Sequence, residues 1–211
     1  MRTFVVTAMV CVCVAALAWV MTDYLVRSGS PDDQLIVLGS GAQGGPPAPQ
    51  AAGKGVDALR PTGVTKPLPE LSFTDANGKP MTLADFRGKT VLLNLWATWC
   101  APCIKEMPDL DQLQQKLGSD KFVVIALSLD RGGLDVVRPF YEKAGLTALG
   151  IYLDPAGETM KRVSVRGLPT TLLIDGEGRE VSRVEGVLDW AGEEVLGVLR
   201  WWRRANNFLP I

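Results

Sequence analysis

The sequence contains no histidine, and only four of its 211 residues are cysteine. The absence of histidine excludes imidazole acid–base catalysis and removes most kinds of zinc site. The 22 basic residues nearly balance the 23 acidic ones, and no long run of lysine or arginine occurs. Because phosphate binding needs clustered positive charge, nucleic acid is not expected as a partner. Hydrophobic residues make up 47% of the chain, so a globular domain is expected.

The four cysteines fall into two groups. Cys11 and Cys13 lie in an apolar stretch near the N-terminus, where buried apolar packing explains them. Cys100 and Cys103 form a C-x-x-C motif, the only cysteines of the globular part. A single cysteine pair cannot form the framework of a disulfide-rich domain. It also supplies only two of the ligands that a four-thiolate metal site needs. The pair therefore indicates a redox motif, and no metal site or cofactor is predicted.

The N-terminal segment has the pattern of a membrane anchor. Residues 3–22 carry no charge, and about 20 apolar residues are enough for a helix to cross a bilayer. We predict a transmembrane anchor over residues 1–26; a cleaved signal peptide is the alternative, with a small-x-small site at Ala16-Leu17-Ala18. Both interpretations put the remaining chain outside the cytoplasm. Residues 27–66 are rich in glycine and proline, which predicts a flexible linker.

Strand and helix patterns alternate in the rest of the chain, over residues 67–205. A strand at 71–74 is followed by Asn77-Gly78, a strong signal for a two-residue hairpin turn. Apolar runs and glycine stops predict strands at 90–96, 122–129, 170–174 and 180–184, and helices at 103–117, 134–144 and 189–204. This order is typical of an α/β domain with a mixed sheet between helices.

Two motifs connect this pattern with a known family. WCAPC after an apolar strand, together with GLPT before the final hairpin, resembles the thioredoxin superfamily. The stretch from LPELSFTDANGKP to CIKEMP is similar to the membrane-anchored TlpA/ResA/CcmG branch. The resemblance implies a thioredoxin-like fold, with a mixed central sheet flanked by helices and a β-hairpin extension at its N-terminal side.

The cysteine pair has the spacing that a reactive dithiol needs. Cys100 lies where a strand passes into a helix, so free N–H groups and the positive end of the helix dipole can stabilise its thiolate. Pro102 fits the first helical turn because its missing N–H is not needed there. Cys103 follows three residues later and can close a disulfide. We predict that Cys100 is the attacking thiol and Cys103 the resolving thiol.

Glu106 is the third predicted catalytic residue. It follows Cys103 by three residues, so both lie on the same face of the helix. A carboxylate there raises the thiol pKa by like-charge repulsion and can transfer a proton. The resemblance implies the same role, because ResA-like proteins have a functional acid at this position; a solvated glutamate is the alternative. At the strand position of Asn94, the resemblance to thioredoxins implies a buried acid. This chain differs, because Asn94 is neutral.

The resemblance also implies a surface for partner proteins. Pro169 matches the cis-proline of the superfamily, and Leu168 before it can pair its backbone with a client segment as an added strand. Trp99 is expected at the rim, where it shields the thiolate and contacts clients, whereas Trp96 is expected in the core.

The family resemblance predicts a thiol–disulfide oxidoreductase that reduces disulfides in specific client proteins. Clients would be apocytochrome c or a copper-handling protein of oxidase assembly, with electrons from a membrane donor. The protein would be a single-pass component of the cytoplasmic membrane, its soluble domain facing the periplasm. Two alternatives stay open: an oxidant that donates disulfides, and a non-enzymatic module that binds a partner or copper. Peroxidase chemistry, with Thr98 supporting the thiol, is a weaker option.

Overall fold

The structure, a computed structural model, describes residues 55–60 and 63–205. The predicted anchor over residues 1–26, together with Cys11 and Cys13, lies outside the described residues. Within the described ranges, no helix is both long enough and apolar enough to cross a membrane.

One mixed sheet of eight strands forms the centre of the described structure. The strands are β1 (Lys66–Pro67), β2 (Ser72–Asp75), β3 (Pro80–Thr82), β4 (Thr90–Trp96), β5 (Phe122–Ser128), β6 (Tyr152–Leu153), β7 (Thr170–Ile174) and β8 (Arg179–Glu185). Their spatial order is β1-β8-β7-β4-β5-β6-β2-β3. The pairs β4–β5 and β5–β6 are parallel, and all other neighbours are antiparallel. The predicted mixed sheet is confirmed. A hairpin joins β2 to β3 at Asn77-Gly78, as predicted, but its loop is longer than the predicted two residues, because the Asp75 N–H donates to the Lys79 carbonyl at 3.1 Å across residues 76–78.

Four helices accompany the sheet: α1 (Ala101–Leu117), α2 (Leu134–Ala144), α3 (Glu158–Arg162) and α4 (Glu193–Ala205). Two short 3₁₀ turns, Val56–Leu59 and Leu83–Phe86, complete the elements of residues 55–60 and 63–205. The apolar core has two parts, one on each face of the sheet. One part contains side chains of α1, α2 and α4, and the other contains the β2–β3 hairpin and the residues around α3.

Strand β4 lies in the middle of the sheet and is buried along its whole length. Leu92 and Trp96 point into the core beneath α1, whereas Leu93 and Leu95 point into the core on the other face. Burying each of the three leucine side chains contributes about 1.5–3 kcal/mol to the stability of the fold. This burial explains the near-continuous apolar run of the sequence, and it fixes the strand end from which the C-x-x-C motif follows.

The starts of two helices differ from the sequence prediction by two residues or more, whereas the other predicted helix and strand bounds differ by at most one residue. Helix α1 begins at Ala101 rather than 103, because Ala101 and Pro102 take up its first turn. Helix α4 begins at Glu193 rather than 189, because residues 189–192 form a turn closed by a hydrogen bond from the Gly192 N–H to the Asp189 carbonyl (3.2 Å).

Candidate active site

Cys100 and Cys103 form a disulfide at the junction of β4 and α1. Cys100 caps α1, and the N–H of Cys103 donates to the Cys100 Sγ at 3.4 Å. Cys100 is 6% exposed and Cys103 1% exposed, so Cys100 is the more exposed residue of the pair. The helix terminus therefore directs a backbone donor and its positive dipole end at the sulfur predicted to attack.

The turn before Cys100 is held in place by Asp130. The backbone N–H of Thr98 donates to Asp130 Oδ2 at 2.9 Å, and the Thr98 hydroxyl donates to Oδ1 at 2.6 Å. Asp130 is buried and also accepts from the Ser128 hydroxyl at 2.8 Å. Because the Thr98 hydroxyl is engaged with this carboxylate, the structure gives no support to the peroxidase alternative.

Asp130 was missed by the sequence analysis. The signal available was its position just after β5, because the carboxyl ends of neighbouring parallel strands meet at one edge of a sheet.

A groove of about 650 Å³ lies beside Cys100. Trp99 and Leu168, both predicted to contact clients, line this groove together with Cys100. Trp99 is 69% exposed and Trp96 is fully buried, as their predicted rim and core positions require. The Leu168–Pro169 peptide bond is cis, which is the isomer that the superfamily resemblance implies. Pro169 is buried, and its carbonyl accepts from the Gly186 N–H at 2.9 Å.

Glu106 is buried in α1, with 1% of its surface exposed. This burial argues against the solvated-glutamate alternative. Its Oε1 accepts two hydrogen bonds, from the Leu188 N–H at 2.9 Å and from the Trp190 indole N–H at 2.8 Å. Its Oε2 has no hydrogen-bond partner among the described residues. Burial raises the pKa of Glu106 above its ordinary value and the charge of Asp109 adds to this, while the two hydrogen bonds act against it.

Trp190 and Leu188, the partners of Glu106, could not have been found from local sequence. They lie more than 80 residues after Glu106, in the segment that the sequence assigned partly to the last helix. Only the fold brings them onto α1.

Asn94 lies in β4 on the same face as Leu92 and Trp96, the face covered by α1. It is 1% exposed, and its Nδ2 donates to the Thr171 hydroxyl at 3.0 Å. Its Oδ1 has no partner among the described residues. The strand therefore contributes a neutral side chain here, and α1 contributes the carboxylate through Glu106.

Comparison with known proteins gives a consistent result. The Redoxin family model matches residues 63–195, which include the cysteine pair, Glu106 and Pro169. The thiol-disulfide oxidoreductase ResA of Bacillus thuringiensis subsp. konkukian (strain 97-27) is 37% identical over 123 residues, which cover 58% of this chain and 70% of that protein.

Solved structures show the same likeness. The exposed lipoprotein thioredoxin Etrx1 of Streptococcus pneumoniae strain TIGR4 superposes with a TM-score of 0.54 and 28% identity, covering 63% of this chain and 98% of that one. A thiol-disulfide oxidoreductase of Bacteroides fragilis NCTC 9343 gives a TM-score of 0.54 and 26% identity, covering 64% of this chain and 98% of that one.

Proposed function

This chain belongs to the Redoxin family, is a thiol–disulfide oxidoreductase of the ResA-like kind, and, we propose, reduces disulfides in particular client proteins. The observation that carries the proposal is the placement of the more exposed cysteine at a groove and of a buried carboxylate six residues later, on the helix that this cysteine caps. Cys100 lines the groove, and Glu106 lies on the face of α1 that also holds Cys103.

In the first step, the thiolate of reduced Cys100 attacks one sulfur of a client disulfide. A bond forms between Cys100 and that sulfur, the client S–S bond breaks, and the other client sulfur leaves as a thiolate. The N-terminus of α1 supports this step, because its dipole and the Cys103 N–H stabilise negative charge on the Cys100 sulfur.

In the second step, Cys103 resolves the mixed disulfide. The Cys103 thiol gives its proton to Glu106, and its thiolate attacks the Cys100 sulfur. The Cys100–Cys103 bond forms, the second client thiolate leaves, and two electrons have passed from the dithiol to the client. Oε2 of Glu106 is the atom suited to receive the proton, since Oε1 already accepts two hydrogen bonds.

The raised pKa of Glu106 supports this role. Proton transfer is most effective when the pKa values of base and acid are close, and burial moves the carboxyl pKa towards that of a thiol. A carboxylate near the pair also disfavours a very stable thiolate. A less stable thiolate makes the disulfide less oxidising, which favours a reductant over a disulfide donor.

The same proposal includes location and partners. The uncharged residues 3–22 would anchor the protein in the cytoplasmic membrane, with the domain on the periplasmic side. The resemblance to the TlpA/ResA/CcmG branch suggests apocytochrome c or a copper-handling protein of oxidase assembly as clients. Electrons would come from a membrane-bound donor. The alternative of a non-enzymatic module predicts no exchange at all.

Trapping of the intermediate tests the proposed reaction. In the full chain with Cys11→Ser and Cys13→Ser, the additional change Cys103→Ser should stop the reaction after the first step. A covalent adduct with a disulfide-bearing peptide should then accumulate, and a thiol reductant should release it. The matched variant with Cys100→Ser should form little or none. If no adduct forms with Cys103→Ser, Cys100 is not the attacking thiol and the proposal fails.

A further inference from the structure

The groove beside Cys100 carries positive charge. Arg131, Lys161 and Arg166 line it, and among the described residues no carboxylate does. Ala101 and Pro102, the first residues of α1, also line it, so the positive end of this helix faces the same space. A segment that enters the groove therefore meets a positive field next to the reactive sulfur.

Two of the three cations form no ion pair with any residue that the structure describes. Lys161 Nζ lies 2.7 Å from Glu158 Oε1. Arg131 and Arg166 are exposed, and neither makes an ion pair within the part of the chain that the structure describes. The carboxylate next in sequence to Arg131, that of Asp130, is held by Thr98 and Ser128. The two guanidinium groups are thus available to a partner.

Apolar surface accompanies this charge. Trp99, Leu129, Met160 and Leu168 line the same groove. Trp99 and Arg131 also line an adjoining depression with Val136, which is 41% exposed. The surface near Cys100 therefore combines apolar contact area with free positive charge.

We propose that the client segment received by this groove carries acidic residues beside its reactive cysteine, and that Arg131 and Arg166 determine this specificity. The inference rests on the proposed function, because it concerns the segment whose disulfide Cys100 attacks. The segment has at least one aspartate or glutamate near its cysteine and an apolar side chain that packs on Trp99. Charge complementarity of this kind accelerates encounter and fixes orientation.

The test compares two peptides that differ only in charge. Each has one cysteine, capped as a mixed disulfide with the neutral thiol 2-mercaptoethanol, and is flanked either by glutamate or by the isosteric glutamine. The protein is the reduced full chain with Cys11→Ser and Cys13→Ser in a neutral detergent. The measurement is the second-order rate constant for release of the peptide thiol, as the Cys100–Cys103 disulfide forms.

A reference reaction with dithiothreitol removes the intrinsic effect of the flanking charge. Glutamate beside a cysteine slows attack by any thiolate, so the ratio of the two rates on the protein is divided by the same ratio with dithiothreitol. We expect a corrected ratio of about fivefold in favour of the glutamate peptide, since two exposed charge pairs contribute modestly. The ratio should fall as salt is added.

The double variant Arg131→Gln/Arg166→Gln should bring the corrected ratio close to one. Because the ratio compares two substrates on one enzyme, any change in the reactivity of Cys100 cancels. Lys116→Gln is the matched control, since it removes a cation about 20 Å further along α1. This variant should keep the ratio.

The outcomes distinguish failure of this inference from failure of the proposed function. If the wild-type protein reduces both peptides with a corrected ratio of one, or if the double variant keeps the preference, the inference is overturned and the proposed function stands. If neither peptide is reduced, the proposed function fails and the inference fails with it.

Discussion

The two oxygens of the Glu106 side chain have different surroundings, and this difference defines the chemistry available to the residue. Oε1 accepts from Leu188 and Trp190, whereas Oε2 has no partner among the described residues. The residue pattern indicated that Glu106 shares a helical face with Cys103. It could not indicate burial or the Trp190 bond, because both depend on a segment distant in sequence.

The change Glu106→Gln should remove the proton acceptor while keeping the shape of the site. The amide oxygen can take the place of Oε1 and keep both hydrogen bonds. At saturating peptide disulfide, where the second step limits, we expect the rate near neutral pH to fall by about 10–100-fold. In the wild type, the ionised carboxylate is the active form, so the rate should rise with pH through the raised pKa of Glu106. The variant should lack this rise, as stopped-flow measurements between pH 4 and 9 would show.

Glu193→Gln serves as the control, since Glu193 is an exposed carboxylate of α4. It should leave both the rate and its pH dependence unchanged. A Glu106→Gln protein with the wild-type pH profile would remove Glu106 from the proton transfer.

At the scale of elements, α1 holds both the cysteine pair and the segment that follows α2. Asp111 of α1 is buried, and its Oδ1 accepts from the backbone N–H groups of Thr147, Ala148 and Leu149 at 3.1, 2.8 and 2.9 Å. Its Oδ2 accepts from Gln115 at 2.8 Å. One side chain thus satisfies three backbone donors of the connection that leads to β6, and it joins this connection to the helix that carries the active site.

Asp111→Ala should destabilise the protein by about 3 kcal/mol, because three N–H groups lose their acceptor and at least one of them is buried. The free energy of unfolding in urea measures this loss. Asp111→Asn, which keeps one oxygen acceptor, should cost less, and Asp120→Ala, at an exposed position, should cost little. A loss below about 1 kcal/mol for Asp111→Ala would show that water replaces these bonds.

Elements with a clear apolar pattern could be predicted from sequence, whereas β6 and α3 could not. The predicted bounds of β4 and α2 agree with the structure, since a mostly apolar run of seven residues and a helical pattern stopped by Gly145 are strong local signals. Strand β6 has two residues and α3 has five, too few for either to show a periodic pattern. Both are stabilised by their neighbours: β6 pairs with β5 and β2, and Asp154 accepts from two N–H groups at the start of α3.

At the scale of the whole molecule, part of the segment predicted as a linker packs against the domain. Val56 and Leu59 are buried although they lie within residues 27–66, the segment predicted as a linker. The Leu59 carbonyl accepts from the Trp202 indole N–H at 2.8 Å, and the Ala58 carbonyl accepts from the Ser182 hydroxyl. Two apolar residues in a glycine-rich segment are too weak a signal to predict this packing, which depends on α4 and β8.

The charges near the cysteine pair act in opposite directions. The guanidinium groups of Arg131 and Arg166 stabilise a thiolate at Cys100, whereas Glu106 disfavours one. The guanidinium groups are exposed and therefore act through solvent, which weakens their effect. Glu106 is buried, where charge interactions are stronger. The balance favours a pair that gives up electrons readily.

The reduction potential of the Cys100–Cys103 pair tests this claim most directly. The full chain with Cys11→Ser and Cys13→Ser would be equilibrated in dithiothreitol or glutathione buffers, and its free thiols counted. We predict a value near that of thioredoxin, about −270 mV. A value near that of the oxidant DsbA, about −120 mV, would contradict it and identify the protein as a disulfide donor.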